Sequence, residues 1–290
     1  MAEAAVETEA LVKRYPKVEA LAGVTLRIEP GEIFALLGPN GAGKTTWISI
    51  ICGLVKATSG RARVLGHDVA SDRVAARRLI GLVPQELNFD PFFTSREVLR
   101  FQQGYYGQPA DDGRIEEVLR ALDLWGKADT NTRELSGGMK RRLLIAKALV
   151  HRPKVAFLDE PTAGVDVALR RDLWAYVRKL RAEGTTIVLT THYLEEAESL
   201  ADRVGVIDHG KLITVDTPAR LMASHGKKRV RFTLGAPLPD GCALPDGAEL
   251  DEKRTSLSVP SDEDVSELLH RVVALSVLVV DLRIEQFLFE

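Results

Sequence analysis

The sequence predicts an α/β fold: a mainly parallel β-sheet with an antiparallel β subdomain and a helical insertion, followed by a small C-terminal α+β appendage. Three observations support this prediction. Short apolar runs alternate with helical patterns around a glycine-rich turn, which is typical of a parallel sheet. Residues 88–150 carry helical patterns. After residue 225 the pattern changes to a looser mixture of strand-like and helical segments.

The strands and the first helix of the main sheet can be placed from their apolar patterns. Residues 33–37 form a continuous apolar run, as expected of a strand that is buried on both faces. The glycine-rich turn follows, and then a helix over about residues 44–52. Other strand-like segments lie at 8–15, 21–28, 61–65, 79–83, 155–158, 186–190, 204–208 and 211–215. His209-Gly210, between the last two, predicts a hairpin turn.

Two regions outside that sheet set the domain organisation. The helical insertion covers about residues 88–150 and contains a capping box at Thr94-Ser95-Arg96-Glu97. We assign residues 1–225 to the main domain and 226–290 to the appendage. Within the appendage we expect strands at 229–234 and 256–259, a helix at 263–274 and an extended segment at 277–284.

The composition is that of an ordinary globular protein. Apolar residues make up 45% and charged residues 28% of the 290. The 39 basic and 41 acidic residues nearly cancel, so the totals indicate no nucleic-acid-binding stripe. Cys52 and Cys242 have no metal-ligand spacing and predict no disulfide framework, which fits a reducing compartment.

No segment of the chain is expected to cross a membrane. Residues 1–10 are acidic and alanine-rich, without the apolar region of a signal peptide. The longest strongly apolar stretch, residues 272–280, is too short to span a bilayer. If the protein serves transport, another chain must therefore supply the pore.

The glycine-rich turn carries the clearest chemistry. Gly38-Pro39-Asn40-Gly41-Ala42-Gly43-Lys44-Thr45 matches the phosphate-binding pattern G-x-x-x-x-G-K-[ST]. Its glycines let backbone N–H groups converge on phosphate oxygens, and the following helix adds the positive end of its dipole. Lys44 is expected to reach the β- and γ-phosphates, Thr45 to bind Mg²⁺ and Thr46 to make another phosphate contact. The fold is thus predicted to be of the P-loop NTPase type.

Two carboxylates end a later apolar strand, at Leu158-Asp159-Glu160. An acidic pair in that position is usually a helix cap or a solvated strand end. Beside a phosphate loop, however, Asp159 is predicted to hold Mg²⁺ through water. Glu160 is predicted to polarise the attacking water as a general base.

A second candidate anion site lies at the start of a helix, in Leu135-Ser136-Gly137-Gly138-Met139. Ser136 and the amides of Gly137 and Gly138 are placed to bind an anion there. The alternative is an ordinary serine N-cap with glycines in a turn. The phosphate loop does not need this segment for itself, which favours a separate role.

The ordered set of these motifs resembles the nucleotide-binding subunit of an ATP-binding-cassette (ABC) transporter, over roughly residues 6–220. The resemblance implies that residues 1–225 form an ABC nucleotide-binding domain. It also implies that Ser136 faces the γ-phosphate held by the opposite subunit. Met139 stands where the family more often has glutamine, but the implied contacts come from Ser136 and the backbone.

The resemblance assigns four further features. Gln85 resembles the Q-loop glutamine, which touches Mg²⁺ or water and links the helical insertion to the core. His192 resembles the switch histidine that contacts the γ-phosphate. Ala163-Gly164-Val165-Asp166 resembles the D-loop, which lies across the dimer contact, although Asp166 can also simply cap its helix. Tyr15 matches the aromatic residue that stacks on adenine, with an ordinary strand-end tyrosine as the alternative.

Several aromatic residues crowd the stretch after Gln85: Phe89, Phe92, Phe93, Tyr105 and Tyr106. One interpretation is that they form the core of the helical insertion. The other is that some of them line a groove for a cytoplasmic helix of a membrane partner, because interfaces favour aromatic residues.

Two groups of ionisable residues are expected to lie outside the site. The first has no metal-ligand spacing, is expected at the surface or in loops, and comprises His67, His151 and His209. The second is expected to be a solvated helix face and comprises Lys140, Arg141 and Arg142.

These features predict the ATP-binding and ATP-hydrolysing subunit of a membrane exporter. Two copies would hold two ATP and two Mg²⁺ in a head-to-tail sandwich, and separate transmembrane permease subunits would carry the cargo. No direct nucleic-acid binding is expected. The subunit would lie in the cytoplasm, at the inner face of the cell membrane. Residues 191–198, together with Met139, resemble bacterial ATPases of drug, polysaccharide or lipid exporters.

Two alternative functions would use the same ATP-hydrolysing domain. An ABC protein that acts on ribosomes or DNA usually has two cassettes in one chain or a long coiled coil between its phosphate motifs. This chain has one cassette and no sustained heptads between Lys44 and Leu135. An importer ATPase would share every catalytic residue, and only the appendage offers a distinction. That appendage could regulate, aid dimerisation or cover an apolar edge.

Overall fold

The computed structural model describes two compact units, Met1–Pro218 and Ala219–Glu290. Each unit has its own cluster of buried apolar residues. The residues that it does not describe are 1–2, 87–90, 163–166, 226–227, 240–241, 243, 245–246, 252, 262–264, 274–277 and 286–290.

Strands and helices alternate along most of the chain. The strands are β1 Val6–Tyr15, β2 Val18–Ile28, β3 Ile33–Leu37, β4 Ser59–Val64, β5 His67–Asp68, β6 Ile80–Val83, β7 Val155–Asp159, β8 Thr186–Thr191, β9 Arg203–Asp208, β10 Lys211–Asp216, β11 Lys228–Leu234, β12 Glu249–Leu250, β13 Ser256–Ser261 and β14 Val279–Glu285. The α-helices are α1 Lys44–Ile51, α2 Arg73–Arg78, α3 Ser95–Tyr105, α4 Asp112–Ala121, α5 Gly137–Leu149, α6 Val167–Ala182, α7 Leu194–Leu200, α8 Pro218–His225 and α9 Val265–Val273.

The central sheet of the first unit has the order β10-β9-β3-β8-β7-β6. Five of its strands run parallel, and β10 pairs antiparallel with β9 through the predicted hairpin. His209 and Gly210 form the turn with φ of 43° and 73°, as a tight hairpin requires. Every residue of β3, β7 and β8 is buried, which explains their unbroken apolar character. The predicted mainly parallel sheet is confirmed.

The antiparallel subdomain is a second sheet in the order β2-β1-β4-β5. Its first two strands begin earlier than the sequence patterns indicated. Strand β1 begins at Val6, which pairs with Ile28, and β2 begins at Val18, which pairs with Tyr15 across the two-residue connection Pro16-Lys17. Helix α1 contacts β2 and β4 of this sheet and β7 of the central sheet. On α1, Trp47 is fully buried, and its ring meets that of Phe157 edge-on at 6.3 Å. Burial of α1 between these elements fixes where the phosphate loop ends.

The helical insertion contains α3, α4 and α5. The predicted capping box is present: Glu97 N–H donates to Thr94 Oγ1, and Thr94 N–H donates to the Glu97 carboxylate. Tyr106, just after α3, donates its hydroxyl to the carbonyl of Ile80 at 3.1 Å. His151, just after α5, places Nε2 2.9 Å from the same carbonyl, and its ring stacks on Tyr106 at 3.5 Å. These two side chains attach the insertion to the start of β6.

Several short elements escaped the sequence patterns, namely β5, α2, α7, α8 and β12. Helix α2 has only six residues, and Ala76 is its one buried residue, so no apolar periodicity marks it. Leu79 caps that helix, and the strand expected from residue 79 therefore begins at Ile80. Strand β12 has two residues, which is too short for an alternating pattern.

The second unit is an antiparallel sheet with one helix. Its strand order is β12-β13-β11-β14. Phe232 on β11 and Leu257 on β13 are fully buried, and α9 contributes Leu268 and Val272 to the same cluster. The expected α+β character of the appendage is confirmed.

Candidate functional site

The candidate site lies where four parallel strands end. Strands β3, β8, β7 and β6 are successive neighbours in the sheet, so their carboxyl ends meet at one edge. Gly38 follows β3, His192 follows β8 and Glu160 follows β7. Gln85 lies two residues beyond β6. Open α/β sheets place their ligands at this edge.

The glycine-rich loop is held so closely that side chains would not fit at two of its positions. Gly43 caps α1 with φ of 107°, and a Cβ there would lie 2.4 Å from the carbonyl oxygen of Ala20. A Cβ on Gly38 would lie 2.2 Å from the carbonyl oxygen of Ile207. Glycine is therefore required at both positions by backbone approach, and at Gly43 also by conformation.

Lys44 is a buried cation at the first residue of α1. Only 4% of it is exposed. Its Nζ donates to the carbonyls of Gly38 at 2.6 Å and Pro39 at 3.0 Å, and lies 3.6 Å from Glu160 Oε1. Burial lowers the pKa of the Lys44 ammonium, and the Glu160 carboxylate opposes that shift. A buried ammonium surrounded by oxygen atoms is suited to binding an anion at the loop.

Glu160 is the centre of the site. Its Oε1 lies 3.6 Å from Lys44 Nζ and 3.6 Å from His192 Nδ1. Its Oε2 accepts a hydrogen bond from Gln85 Nε2 at 3.2 Å. The structure thus brings together, around one carboxylate, residues that the sequence placed at four separate strand ends.

The backbone of Glu160 is also constrained. Its φ is 45°, in the left-handed region that a residue with a side chain rarely adopts. Its N–H donates to Thr190 Oγ1 at 3.0 Å, and the Thr190 hydroxyl donates to Asp159 Oδ1 at 2.6 Å. Strain of this kind persists only where neighbouring contacts hold it, and it concentrates at functional sites. Thr190 therefore fixes both acidic residues, a role that the sequence analysis did not assign.

A cavity of about 240 Å³ opens beside these residues. Its lining consists of Asn40, Gly41, Gly43, Lys44, Thr45, Thr46, Gln85 and Glu160. Gly38 and Pro39 support Lys44 through their carbonyls rather than lining the cavity. Ala42 is buried in the apolar core, and its carbonyl accepts from Gly210 N–H at 2.9 Å. Of the predicted loop residues, these three are therefore supports for the cavity.

His192 presents an unsatisfied nitrogen to the site. Its Nδ1 is buried and has no hydrogen-bond partner among the described residues, and its ring packs on Tyr193 at 4.0 Å. A buried polar atom without a partner is costly unless a ligand or water satisfies it. His192 is not among the residues that line the cavity, but its Nδ1 lies 3.6 Å from Oε1 of Glu160, which is.

Tyr15 lies at the end of β1, close to the loop but outside the cavity lining. It pairs with Val18, two residues before Ala20, whose carbonyl oxygen approaches Gly43. The side chain is exposed, and Lys13 Nζ lies 4.8 Å above its ring. Its position leaves both interpretations of Tyr15 open.

The Ser136 segment is well formed but lies apart from the cavity. Ser136 caps α5 by accepting from Met139 N–H at 3.3 Å, and Ser136 and Gly137 are exposed. Neither residue, nor Gly138, is among those lining the cavity. The two segments that the sequence predicts to bind anions therefore do not line the same cavity within one copy of the chain.

Arg141 does not lie on a solvated helix face, so that expectation was wrong. It is 5% exposed. Its guanidinium donates to backbone carbonyls at the ends of β6 and β7, namely those of Pro84, Gln85, Asp159, Glu160 and Pro161. Sequence periodicity could not reveal this, because a basic residue between two others of its kind carries the pattern of an exposed face.

His151 lies in the turn after α5, which fits the loop expectation, but it is 2% exposed and so is not at the surface. Burial lowers the pKa of its imidazole to about 4, so the ring is neutral at pH 7. His209 is exposed and His67 is half-buried. The Tyr106 ring that covers His151 comes from a distant part of the chain, which is why the sequence alone did not place it.

Glu196 is a further residue that sequence analysis missed. Its carboxylate is 4% exposed and accepts from the hydroxyls of Thr162 and Thr191. Thr191 in turn accepts from Tyr193 N–H at 2.9 Å, which fixes the turn that carries His192. The sequence signal for this contact was Thr191, a threonine at the end of a buried strand and directly before the candidate residue His192.

The aromatic residues divide between the two interpretations. Tyr106 is half-buried and its ring stacks on His151, as the core interpretation expects. Phe93 packs edge-on against Phe101 at 4.8 Å, but Phe101 is 45% exposed. Phe92 and Tyr105 are about four-fifths exposed, at 79% and 81%. Phe89 and the segment Ala163–Asp166 lie outside the described residues.

Among the described helices, none is both long and apolar enough to cross a membrane.

Comparisons with known proteins give consistent results. A family model described as ABC transporter matches residues 21–163. The Nod factor export ATP-binding protein I of Paraburkholderia xenovorans (strain LB400) is 42% identical over 260 residues, covering 89% of this chain and 84% of that protein. The daunorubicin resistance ATP-binding protein DrrA3 of Streptomyces coeruleorubidus is 39% identical over 281 residues, covering 95% and 89%.

Solved structures agree with these relatives. A dimeric ATP-binding cassette in a post-hydrolysis state, bound to ADP and Pi, is 28% identical with a TM-score of 0.69. That match covers 73% of this chain and 98% of the other. With the phosphate loop, the acidic pair and the Ser136 segment in their expected order, these matches establish the family. The chain belongs to the ABC transporter family and is one of its ATP-binding proteins.

Proposed function

We propose that this protein is the ATP-hydrolysing subunit that powers a membrane exporter. The ATP-binding proteins of its family are ATPases coupled to transport. The single observation that carries the proposal is the arrangement around Glu160, whose carboxylate lies beside Lys44, Gln85 and His192 at the edge of the loop cavity. The name of the first relative, a Nod factor export protein, favours export.

The loop and α1 would hold the triphosphate. Lys44 can turn from the carbonyls of its own loop to the β- and γ-phosphates, because those carbonyls are its neighbours rather than fixed ionic partners. The N–H groups at the start of α1 would add further donors, together with the hydroxyls of Thr45 and Thr46. Tyr15, beside the loop, would stack on the adenine.

Glu160 would then act as the general base. It accepts a proton from water while the water oxygen attacks the γ-phosphorus, and the bond to the bridging oxygen of ADP breaks. Gln85 and His192 would orient the water and the γ-phosphate from either side of that carboxylate. The cation of Lys44 would stabilise the charge on the leaving phosphates.

The residues present suit Mg²⁺. The hydroxyl of Thr45, the amide oxygen of Gln85 and the carboxylate of Asp159 are the hard oxygen ligands that this ion prefers, and it usually takes few protein ligands beside phosphates and water. Thr45 and Gln85 line the cavity. Asp159 is buried and is not in the lining, but it directly precedes Glu160, which is. Bound there, the ion would neutralise charge on the phosphates.

The second half of the site would come from another copy. Ser136 and Gly137 present an exposed helix N-terminus that does not reach the cavity of its own chain. In a head-to-tail homodimer, each Ser136 segment would face the γ-phosphate held by the partner. ATP would then favour the closed dimer, because only that state makes both sets of contacts. The dimeric relative bound to ADP and Pi supports this arrangement.

Separate transmembrane subunits would carry the cargo, and this subunit would sit at the inner face of the cell membrane through them. The exposed Phe92 and Tyr105 are the part of the helical insertion suited to such a partner, since exposed aromatic residues favour interfaces. An importer ATPase or an ABC protein acting on ribosomes or DNA are the alternatives, and the names of the relatives do not favour them.

Mixing two inactive variants tests the shared site. Lys44→Met removes the loop cation. Ser136→Asp keeps a good helix cap but adds a negative charge opposite the γ-phosphate. A mixed dimer contains one site with neither substitution, so each variant alone should be inactive and the mixture should regain ATP hydrolysis. A mixture as inactive as its components would refute the two-copy site.

Co-purification tests the membrane partner. The tagged protein would be isolated from its own cell's membranes in mild detergent. A polytopic membrane protein in stoichiometric amount is the expected result. Ribosomal proteins or DNA instead of a membrane protein would refute the transport role and leave the ATPase assignment intact.

A further inference from the structure

Arg141 binds the backbone of two catalytic segments at once. Two of its donors reach the end of β6: Nη1 lies 2.9 Å from Pro84 O and 3.0 Å from Gln85 O. The others reach the end of β7: Nη2 lies 2.7 Å from Glu160 O and 3.3 Å from Asp159 O, and Nε lies 3.1 Å from Pro161 O. One side chain thus joins the segments that carry Gln85 and Glu160.

These contacts use the full shape of the guanidinium. Its planar fork has five N–H donors in fixed directions, and here it meets five carbonyl oxygens from two strand ends. An ammonium group is compact, has three donors and cannot span both segments in this way. No hydrogen bond joins Arg141 to a carboxylate in the described part of the chain, so the cation is matched by carbonyl dipoles. Burial lowers the pKa of Arg141, which the charges of Asp159 and Glu160 oppose.

Arg141 is carried by the same helix as the Ser136 segment. Ser136 is the N-cap of α5, and Arg141 is the fifth residue of that helix, about 7 Å along its axis. Arg141 and Ser136 are therefore joined by less than two turns of one hydrogen-bonded helix. A shift of the backbone at Gln85 or Glu160 would be passed through the guanidinium to the N-terminus of α5.

We propose that Arg141 is a positioning residue that couples one nucleotide site to the other. Its guanidinium is hydrogen-bonded to the backbone of Gln85 and Glu160 in the same chain, and it sets the position of Ser136 in that chain. That Ser136 serves the nucleotide site of the partner. This inference rests on the proposed two-copy site. The hydrogen-bond acceptors of Arg141 are backbone carbonyls. A side-chain substitution can therefore remove these hydrogen bonds only at position 141.

The neighbouring Arg142 provides a matched control. It lies on the same helix, but its hydrogen bonds reach Leu122 O at 3.3 Å and the backbone and carboxylate of Asp123. Leu122 and Asp123 belong to the helical insertion and not to the catalytic strand ends. Loss of Arg142 should therefore leave the coupling intact.

The mixed-dimer assay isolates the effect on the partner. One chain carries Lys44→Met and Arg141→Lys, and the other carries Ser136→Asp. The one intact site then takes Lys44, Gln85 and Glu160 from the second chain, in which Arg141 is unchanged. The altered Arg141 belongs only to the chain that supplies Ser136. Any loss of hydrolysis is therefore transmitted between chains.

We expect the Arg141→Lys mixture to hydrolyse ATP at least tenfold more slowly than the mixture without it. The same mixture with Arg142→Lys should hydrolyse ATP at a rate within about twofold of the mixture without it. A tenfold change in rate corresponds to about 1.4 kcal/mol of activation free energy. Equal rates for the two mixtures would overturn the inference. If Arg141→Lys lowers the thermal midpoint far below that of the control, Arg141→Gln on the same chain repeats the comparison. Failure of the mixture without either substitution would refute the shared site itself, and the coupling with it.

Discussion

The Lys44 loop and the Ser136 segment are both helix starts that we propose bind phosphate, but their surroundings in the fold differ. Lys44 is almost fully buried, and Gly38 and Gly43 are pressed against neighbouring carbonyls. Ser136 and Gly137 are exposed, and a Cβ on Gly137 would meet no atom within 4 Å. The first segment is completed by its own chain. The second is exposed to solvent, as a segment that contributes to a site on another copy must be.

The difference teaches that the two segments depend on different parts of the fold. The loop is shaped by β2, the central sheet and the core around Trp47, so its geometry is fixed before any ligand arrives. The Ser136 segment needs only a correctly capped and correctly placed α5. Its position is set by Arg141 and by the anchoring of the helical insertion on β6.

The largest expected effect comes from the completed half of the site. Glu160→Gln should still bind ATP but hydrolyse it about 10²–10⁴-fold more slowly, because the general base is lost while Lys44 and the loop amides remain. Equilibrium ATP binding and steady-state phosphate release measure the two quantities. Hydrolysis at the wild-type rate would remove Glu160 from its proposed role.

A pair of glycine substitutions compares the two segments directly. Gly43→Ala should destabilise the protein by about 3 kcal/mol or more, since a Cβ there meets the Ala20 carbonyl and the backbone φ is strained. Gly137→Ala should leave the free energy of unfolding unchanged or raise it by up to about 1 kcal/mol. Gly137 is the first residue of α5, and a Cβ there would meet no atom within 4 Å. Urea denaturation of both variants provides the measurement. Equal losses would contradict the contrast between the two segments.

The anchoring of the insertion can be tested by pH. The pKa of His151 is lowered to about 4 in the folded chain, so between about pH 6.5 and 4 the unfolded chain binds a proton that the folded chain does not. Stability should therefore fall as pH falls through this window, by about 3 kcal/mol in total for this group. His151→Phe keeps the stack on Tyr106 and removes the titration, so its urea midpoint should change less between pH 7 and 5. His209→Asn, at an exposed position, should retain the wild-type dependence.

The smallest expected effect is at Tyr15. Tyr15→Ala should weaken ATP binding by about tenfold to a hundredfold at most, because stacking on a base is worth about 1–3 kcal/mol. The chemical step should be spared. Val18→Ala, opposite Tyr15 in the same hairpin and also exposed, is the matched control. Unchanged nucleotide affinity in the Tyr15 variant would leave it as an ordinary strand-end residue.

Much of the fold was predictable because its signals are local. The buried strands β3, β7 and β8 are continuous apolar runs, and the capping box and the His209-Gly210 turn depend on residues next to each other in sequence. Where the sequence patterns failed, the segments were short. Helix α2 and strand β12 are too brief for any periodicity to show.

The candidate site was predictable in its members but not in all of its supports. Lys44, Gln85, Glu160 and His192 each follow a recognisable strand, so the sheet order brings them together. Glu196 follows no strand, and its one signal in the sequence was indirect: Thr191, beside His192. Its burial depends on Thr162, which is 34 positions away in sequence and meets it only after β7 and β8 have paired.

The sequence by itself determined the family, the motifs and their order, because these depend on the identity and spacing of residues along the chain. Only the tertiary structure decided that Arg141 lies inside the protein, holding carbonyls up to 57 positions away. It also decided that the Ser136 segment stays outside its own cavity. The physical reason is the same in both cases. Burial and hydrogen bonding depend on which distant segments pack together. An arginine or a serine has the same sequence neighbours whether its side chain is buried by such packing or left exposed.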